Sequence, residues 1–203
     1  MKLHYRVVGA AWRLVSKHLG STWFRLHGAA IGDGCVLYGL PIIELANGCD
    51  ISIGRRAVLC SKARFTALGV ARPVIIRAMS AGAVIRIGDN VGLSGTTLCA
   101  NKEITVGSDC LFGADVVICD TDFHPVNPEG RRHSNEGIVS APVSIGHNVF
   151  LGARSIVLKG VSVGDNSVIG AGSVVASNIP ANVIAAGNPC RVIRQLASVE
   201  TRC

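Results

Sequence analysis

Residues 119–125 read Cys119-Asp120-Thr121-Asp122-Phe123-His124-Pro125, and they could move a proton. In an extended run alternate side chains share a face, which predicts Asp120, Asp122 and His124 on one side. A carboxylate beside an imidazole fixes its tautomer and stabilises the cation it forms on taking a proton. Histidine's ordinary pKa of ~6.5 suits a general base near neutral pH. His124 is therefore the candidate base and Asp122 its candidate orienter. Taken alone, an inert surface Asp–His pair fits the same residues. A zinc site from Asp122, His124 and His133 lacks the paired spacing such sites show.

Something must hold this segment in place, and the sequence downstream says what. From Ile145 an aliphatic recurs every six residues: Ile145, Leu151, Val157, Val163, Ile169 and Val175. The next residue is small in all but one case, and a second modest side chain follows three places later. A helix would repeat at three and four, and a half-buried strand would alternate. Six residues fit one short strand plus a bend, so three sides make an 18-residue triangular coil. Coils stacked at roughly 4.8 Å pair their backbones. A single coil cannot bury its own aliphatic column, so stability comes from its neighbours. The glycine after each aliphatic is expected to supply the bend.

The expected fold class is therefore all-β, a parallel β-helix with appendages. Residues 1–27 stand apart. Leu3, Val7, Ala11, Leu14 and Val15 line one side of a helix, with Lys2, Arg6, Arg13 and Lys17 opposite. The first reading packs the apolar side on the coil or on a neighbouring subunit. The second is peripheral contact of residues 1–20 with an anionic membrane surface. Residues 28–203 form the β-helix domain. Coil signals begin at Ile31 and Ile53, with register open across 38–83. They resume at Ile87, Leu93 and Cys99, slip by one, and continue at Val106, Phe112 and Ile118. The repeat lapses across 119–142, which contains three of the seven prolines and reads as a loop thrown out of the coil. Long excursions from rigid scaffolds are common places for function. Pro180 and Pro189 end the run, and 181–203 is expected to cap the open end, with a short helix over 191–198.

Composition agrees. The chain has 203 residues, is 49% hydrophobic but only 4% aromatic, and carries 24 glycines, which suits a narrow aliphatic column. Eight cysteines without a C-x-x-C pair read as reduced apolar filler. The net charge of +7 comes without a recognition helix or aromatic-basic platform, so nucleic acid is not the expected partner. An anionic cofactor or a membrane surface fits equally. No run reaches the ~18 apolar residues of a span, and Arg6 and Arg13 interrupt a signal-peptide core. The expected place is the cytoplasm, at the inner membrane face if the N-terminal helix docks there.

The combination of Asp-x-Asp-Phe-His-Pro at 120–125, the hexads, Ile179-Pro180 and Ala185-Ala-Gly-Asn-Pro-Cys-Arg-Val-Ile-Arg194 resembles the hexapeptide-repeat acyltransferases. It is most similar to the galactoside and maltose O-acetyltransferase branch, over roughly residues 84–196. The resemblance implies a left-handed coil, although right-handed crossovers are the general rule. It implies a homotrimer with the active site between subunits, acetyl-CoA as co-substrate and no metal. His124 would take the proton of an acceptor hydroxyl that attacks the thioester directly. Ala153, Ala171, Ala176 and Ser177 match positions whose backbone binds the pantetheine arm. Relatives often have Thr-Lys at the last two. Arg191 and Arg194 match positions that meet the nucleotide phosphates. Ser94 aligns with an acceptor-contacting Asn, and Gly92-Leu-Ser-Gly-Thr96 looks more like the surface-polysaccharide O-acetyltransferases. His147 reads as an outward surface residue. The implied activity is O-acetylation of a sugar or glycan hydroxyl, in surface polysaccharide or lipopolysaccharide synthesis. The alternatives are N-acetylation of an amino-sugar nucleotide, or a non-catalytic or metal-binding β-helix.

Overall fold

A computed structural model describes residues 20–196. Over this range the chain winds as a parallel β-helix of triangular section. The first face stacks Ala30–Ile31, Asp50–Ile53, Val84–Ile87, Glu103–Val106, Val143–Ile145 and Ser162–Val163. The second stacks Val36–Tyr38, Val58–Cys60, Gly92–Ser94, Leu111–Ala114, Phe150–Leu151 and Val168–Ile169, then Val183–Gly187 and Cys190–Gln195. The third stacks Ile42–Leu45, Ile75–Ala78, Thr97–Ala100, Val117–Cys119, Ile156–Val157 and Val174–Val175. All pairs are parallel except the last on the second face. The inward column is buried and aliphatic, with Leu59, Leu93, Leu98, Ile118, Leu151, Val157, Ile169 and Val175 fully covered.

Outward residues also stack in register. On the first face they are polar: Ser52, Arg86, Thr105, Ser144, Ser162. On the second they are mostly apolar: Val58, Gly92, Leu111, Phe150, Val168. On the third, Ile42, Ile75, Thr97, Val117, Ile156 and Val174 form another mainly apolar row.

The glycines of the first edge, between the first and second faces, do a different task from the one expected. Gly54, Gly88, Gly107 and Gly146 are not left-handed. A Cβ on Gly107 would stand 2.6 Å from the backbone of Gly146 in the next coil, so glycine is required by close stacking. The bend falls two residues later, on left-handed Arg56, Asn90, Asp109, Asn148 and Asn166. Asparagine and aspartate tolerate that conformation best among non-glycine residues. Their side chains then bond along the axis, as from Asn90 Nδ2 to Asp109 Oδ1 at 2.8 Å and from Asn148 Nδ2 to Asn166 Oδ1 at 2.9 Å. His147 joins a parallel row: its Nδ1 accepts the Ser108 N–H at 3.1 Å.

The open register resolves as follows. Leu37 to Ile43 keeps the step of six, and the early irregularity is the longer corner from Ala46 to Cys49. Residues 61–74 fold over the second edge with a 3-10 turn at Ala63–Phe65. The later slip is made of two offsets: Leu98, not Cys99, faces inward, five residues after Leu93, and Val106 follows eight residues after Leu98.

The first end is plugged. Residues 20–26 are helical and insert Phe24 into the core, while Trp23 donates to the Pro41 carbonyl at 3.0 Å. The rest of the amphipathic segment, including 1–19, lies outside the described residues. At the other end the expected helix is a strand. Cys190–Gln195 pairs antiparallel with Val183–Gly187, because Gly187 turns the chain back and the β-branched pair Val192-Ile193 favours extension. Residues 197–203 lie outside the described range. Among the described residues no helix is long and apolar enough to cross a membrane. The seven described cysteines are free thiols. Burial pushes the Cys35, Cys60, Cys99, Cys110, Cys119 and Cys190 thiols up, which keeps them protonated and unreactive.

Candidate active site

The excursion leaves the third face after Cys119 and returns at Val143, on the third edge, between the third and first faces. Its root is braced. Asp120 is fully buried and accepts three successive backbone N–H groups, from Asn101 and Lys102 at 2.7 Å and Glu103 at 2.8 Å. Thr121 bridges Ser140 on the returning stem, and its Oγ1 accepts from Ser140 Oγ at 2.9 Å. Asp122 donates its N–H to the Val139 carbonyl at 3.1 Å.

Phe123 then turns left-handed, with φ 62°. The alternation of an extended run stops there, so Asp120, Asp122 and His124 do not form one row. His124 emerges exposed, next to buried Pro125, and no described side chain or backbone group bonds its ring. The Asp122 carboxylate goes to Lys159 instead: Nζ lies 2.6 Å from Oδ1.

The other candidates fall on two edges. Ser94, Ala153 and Ala171 stand on the second edge, between the second and third faces. Ala153 and Ala171 line a cavity of about 420 Å³ with Leu68, Asp115 and Arg154. Asp115 is buried and left-handed, and accepts the Ala71 N–H at 2.9 Å. That bond ties the 61–74 fold-over to the cavity rim. Ser94 lies one coil from Asp115, accepting its N–H at 2.9 Å. Ala176 and Ser177 are exposed on the third edge, the edge that carries His124. A larger groove of about 640 Å³ runs along the polar first face and includes none of these candidates.

Arg191 and Arg194 sit on the terminal strand, where a bulge sets their direction. Arg191 pairs with Ala186 and Arg194 with Ile184, with a register shift between. Ala186 and Ile184 are two apart and so share a face, and their partners do as well. Both guanidinium groups are thus presented together, exposed, and without a carboxylate partner among the described residues.

Among the described residues no three His, Cys, Asp or Glu side chains are placed to hold a metal ion. Sequence reasoning missed Asp115, Leu68 and Lys159. The first two are joined only by the fold-over, and Lys159 is 37 positions from its partner.

Residues 142–177 match the family model described as the hexapeptide repeat of succinyl-transferase. Galactoside O-acetyltransferase of Escherichia coli is 43% identical over 58% of this chain and 57% of its own length. That of Lactococcus lactis is 48% identical over 49% of this chain and 47% of its own. The chain thus spans about half the length of these relatives. A galactoside acetyltransferase solved in complex with coenzyme A superposes with TM-score 0.55 at 27% identity, covering 93% of this chain and 82% of that one. AntD, an N-acyltransferase from Bacillus cereus solved with dTDP and 3-hydroxybutyryl-CoA, superposes with TM-score 0.68 at 18% identity, covering 90% and 88%. These neighbours are left-handed β-helix proteins, so the coil has the hand that the resemblance implied. The chain is thus similar to galactoside O-acetyltransferases, and residues 142–177 carry the hexapeptide repeat.

Proposed function

We propose that the chain transfers acetyl from acetyl-CoA to a sugar hydroxyl, with His124 as the general base. The observation that carries this reading is a free, exposed imidazole held at the end of a braced root. The hydroxyl gives its proton to His124 as its oxygen attacks the thioester carbon; the C–S bond then breaks and CoA leaves as the thiolate, which is reprotonated. Most of the acceleration in such a step comes from holding the two substrates together. Ser94 is the candidate acceptor contact, in surface-glycan assembly.

The candidates lie on different edges of the β-helix, with His124, Ala176 and Ser177 on one and Ser94, Ala153 and Ala171 on another. Two of the three outward rows are apolar, and Leu111 and Phe150 are 59% and 44% exposed. Both facts favour a homotrimer in which each site uses edges of two copies. The test is acetyl-CoA turnover against free sugars, nucleotide sugars and lipid-linked glycans, with mass from light scattering. Preferred turnover of an amino-sugar nucleotide would transfer the reading to N-acetylation. A fully active monomer would remove the shared site.

The paired guanidinium groups suit the phosphates of the donor, because arginine recognises phosphate through several fixed donors. Arg191→Ala and Arg194→Ala are each expected to weaken coenzyme A roughly 3- to 30-fold. Pantetheine, which lacks the nucleotide, should bind the variants as it binds the parent. Calorimetry with both ligands decides. Equal weakening of the two would exclude a phosphate role.

A further inference from the structure

We propose that Lys159 is a positioning residue that clasps the root of the excursion and thereby sets where His124 stands. The inference rests on the reading of His124 as the base. Lys159 lies on the third edge, one coil beyond the excursion, in the corner after Ile156–Val157. Its Nζ–Oδ1 contact with Asp122, at 2.6 Å, is the shortest ion pair among the described residues, and the two side chains are only 30% and 21% exposed. The pairs of Arg55, Arg77 and Arg86 are more open to solvent at the arginine or its partner, and none of them involves a side chain of the excursion. The same corner reaches the other stem, since Gly160 donates its N–H to the Ala141 carbonyl at 3.0 Å. One corner thus grips both ends of the 120–142 segment.

The second oxygen of Asp122 makes the clasp consequential. Oδ2 is buried and has no donor among the described groups. Lys159 is therefore the one side chain that satisfies this carboxylate. Without it a largely buried charge has no partner, a strongly unfavourable state. The side chain would have to turn toward water, carrying its backbone with it. The next residue is Phe123 in its left-handed conformation, and the one after is His124. A shift of about 1 Å in a reacting group can cost on the order of 10²-fold in rate.

Lys159→Met keeps the stem and removes the charge. It is expected to lower kcat roughly 10- to 100-fold while KM for acetyl-CoA changes less than about 2-fold. Lys159→Arg should recover most of the loss. Asp122→Asn should match Lys159→Met, and the double variant should be no worse than either, since both remove one interaction. Amide exchange at Asp122 and Phe123 should quicken in Lys159→Met and not in Lys159→Arg, a readout independent of turnover. A Lys159→Met enzyme with parental kcat and parental exchange overturns the proposal. So does a loss shared equally by kcat, acetyl-CoA affinity and thermal stability, which would make Lys159 merely structural. His124→Ala separates the two levels: if it retains turnover, the base reading and the clasp both fail. If it is inactive while Lys159→Met is normal, the clasp alone fails.

Discussion

His124→Ala is expected to lower kcat by roughly 10²–10⁴-fold, the range lost with a general base. The thermal midpoint and coenzyme A affinity should hardly move. The structure gives the reason for that separation. The ring is exposed and no described group bonds it, so its removal breaks nothing in the fold. Surface substitutions of this kind change stability by about 0.5 kcal/mol or less. The donor candidates Ala153, Ala171, Arg191 and Arg194 belong to later coils. Steady-state kinetics with saturating acetyl-CoA, beside a melting curve, make the comparison. A variant turning over within a few-fold of the parent would remove His124 from the chemistry.

Asp120→Ala should do the reverse, damaging the fold first and activity as a result. Its carboxylate receives three backbone N–H groups at 2.7–2.8 Å in a fully buried place. Hydrogen bonds to a charged group contribute about 1.5–3 kcal/mol each, and every buried donor left unpaired costs about 1–3 kcal/mol. The effects overlap, and a total of roughly 3–5 kcal/mol is expected. For a chain of this size that corresponds to a fall of roughly 6–20 °C in Tm. Calorimetric melting is the measurement. A Tm within about 2 °C of the parent would show that the three N–H groups find other acceptors and that Asp120 does not anchor the root.

These two neighbours show how far the sequence could be read. Asp120 and Asp122 are the same residue type two places apart, and alternation placed them on one side. Only the fold brings the N–H groups of residues 101–103 onto the first, and Lys159 onto the second. His124 stood out as a candidate because an imidazole falls at the start of a lapse in the repeat. The coil was legible from Ile145 to Val175 because every corner there has the same length. At the Gly95 corner the choice between adjacent Leu98 and Cys99 rested on one missing residue, and both are apolar enough to face inward. The ending was misread because Arg191 and Arg194 share a side in a helix as well as in a bulged strand. The β-branched Val192-Ile193 pair was the signal for the strand.

The excursion also bears on how the chain closes upon itself. Leu151 pairs with Ile169, 18 positions on, whereas Ile118 must find Val157, 39 positions on. The entropy of joining two points on a chain grows only with the logarithm of the intervening length. The detour therefore adds about 0.7 kcal/mol to the formation of that coil, less than one of the charged hydrogen bonds at its root. The uninterrupted coils after Val143 have the shortest distances to close, and so favour early assembly, with the interrupted turn added to a surface already formed. A solenoid of this kind can carry an appendage of some twenty residues at almost no thermodynamic disadvantage, provided that the first residue outside the coil is fastened.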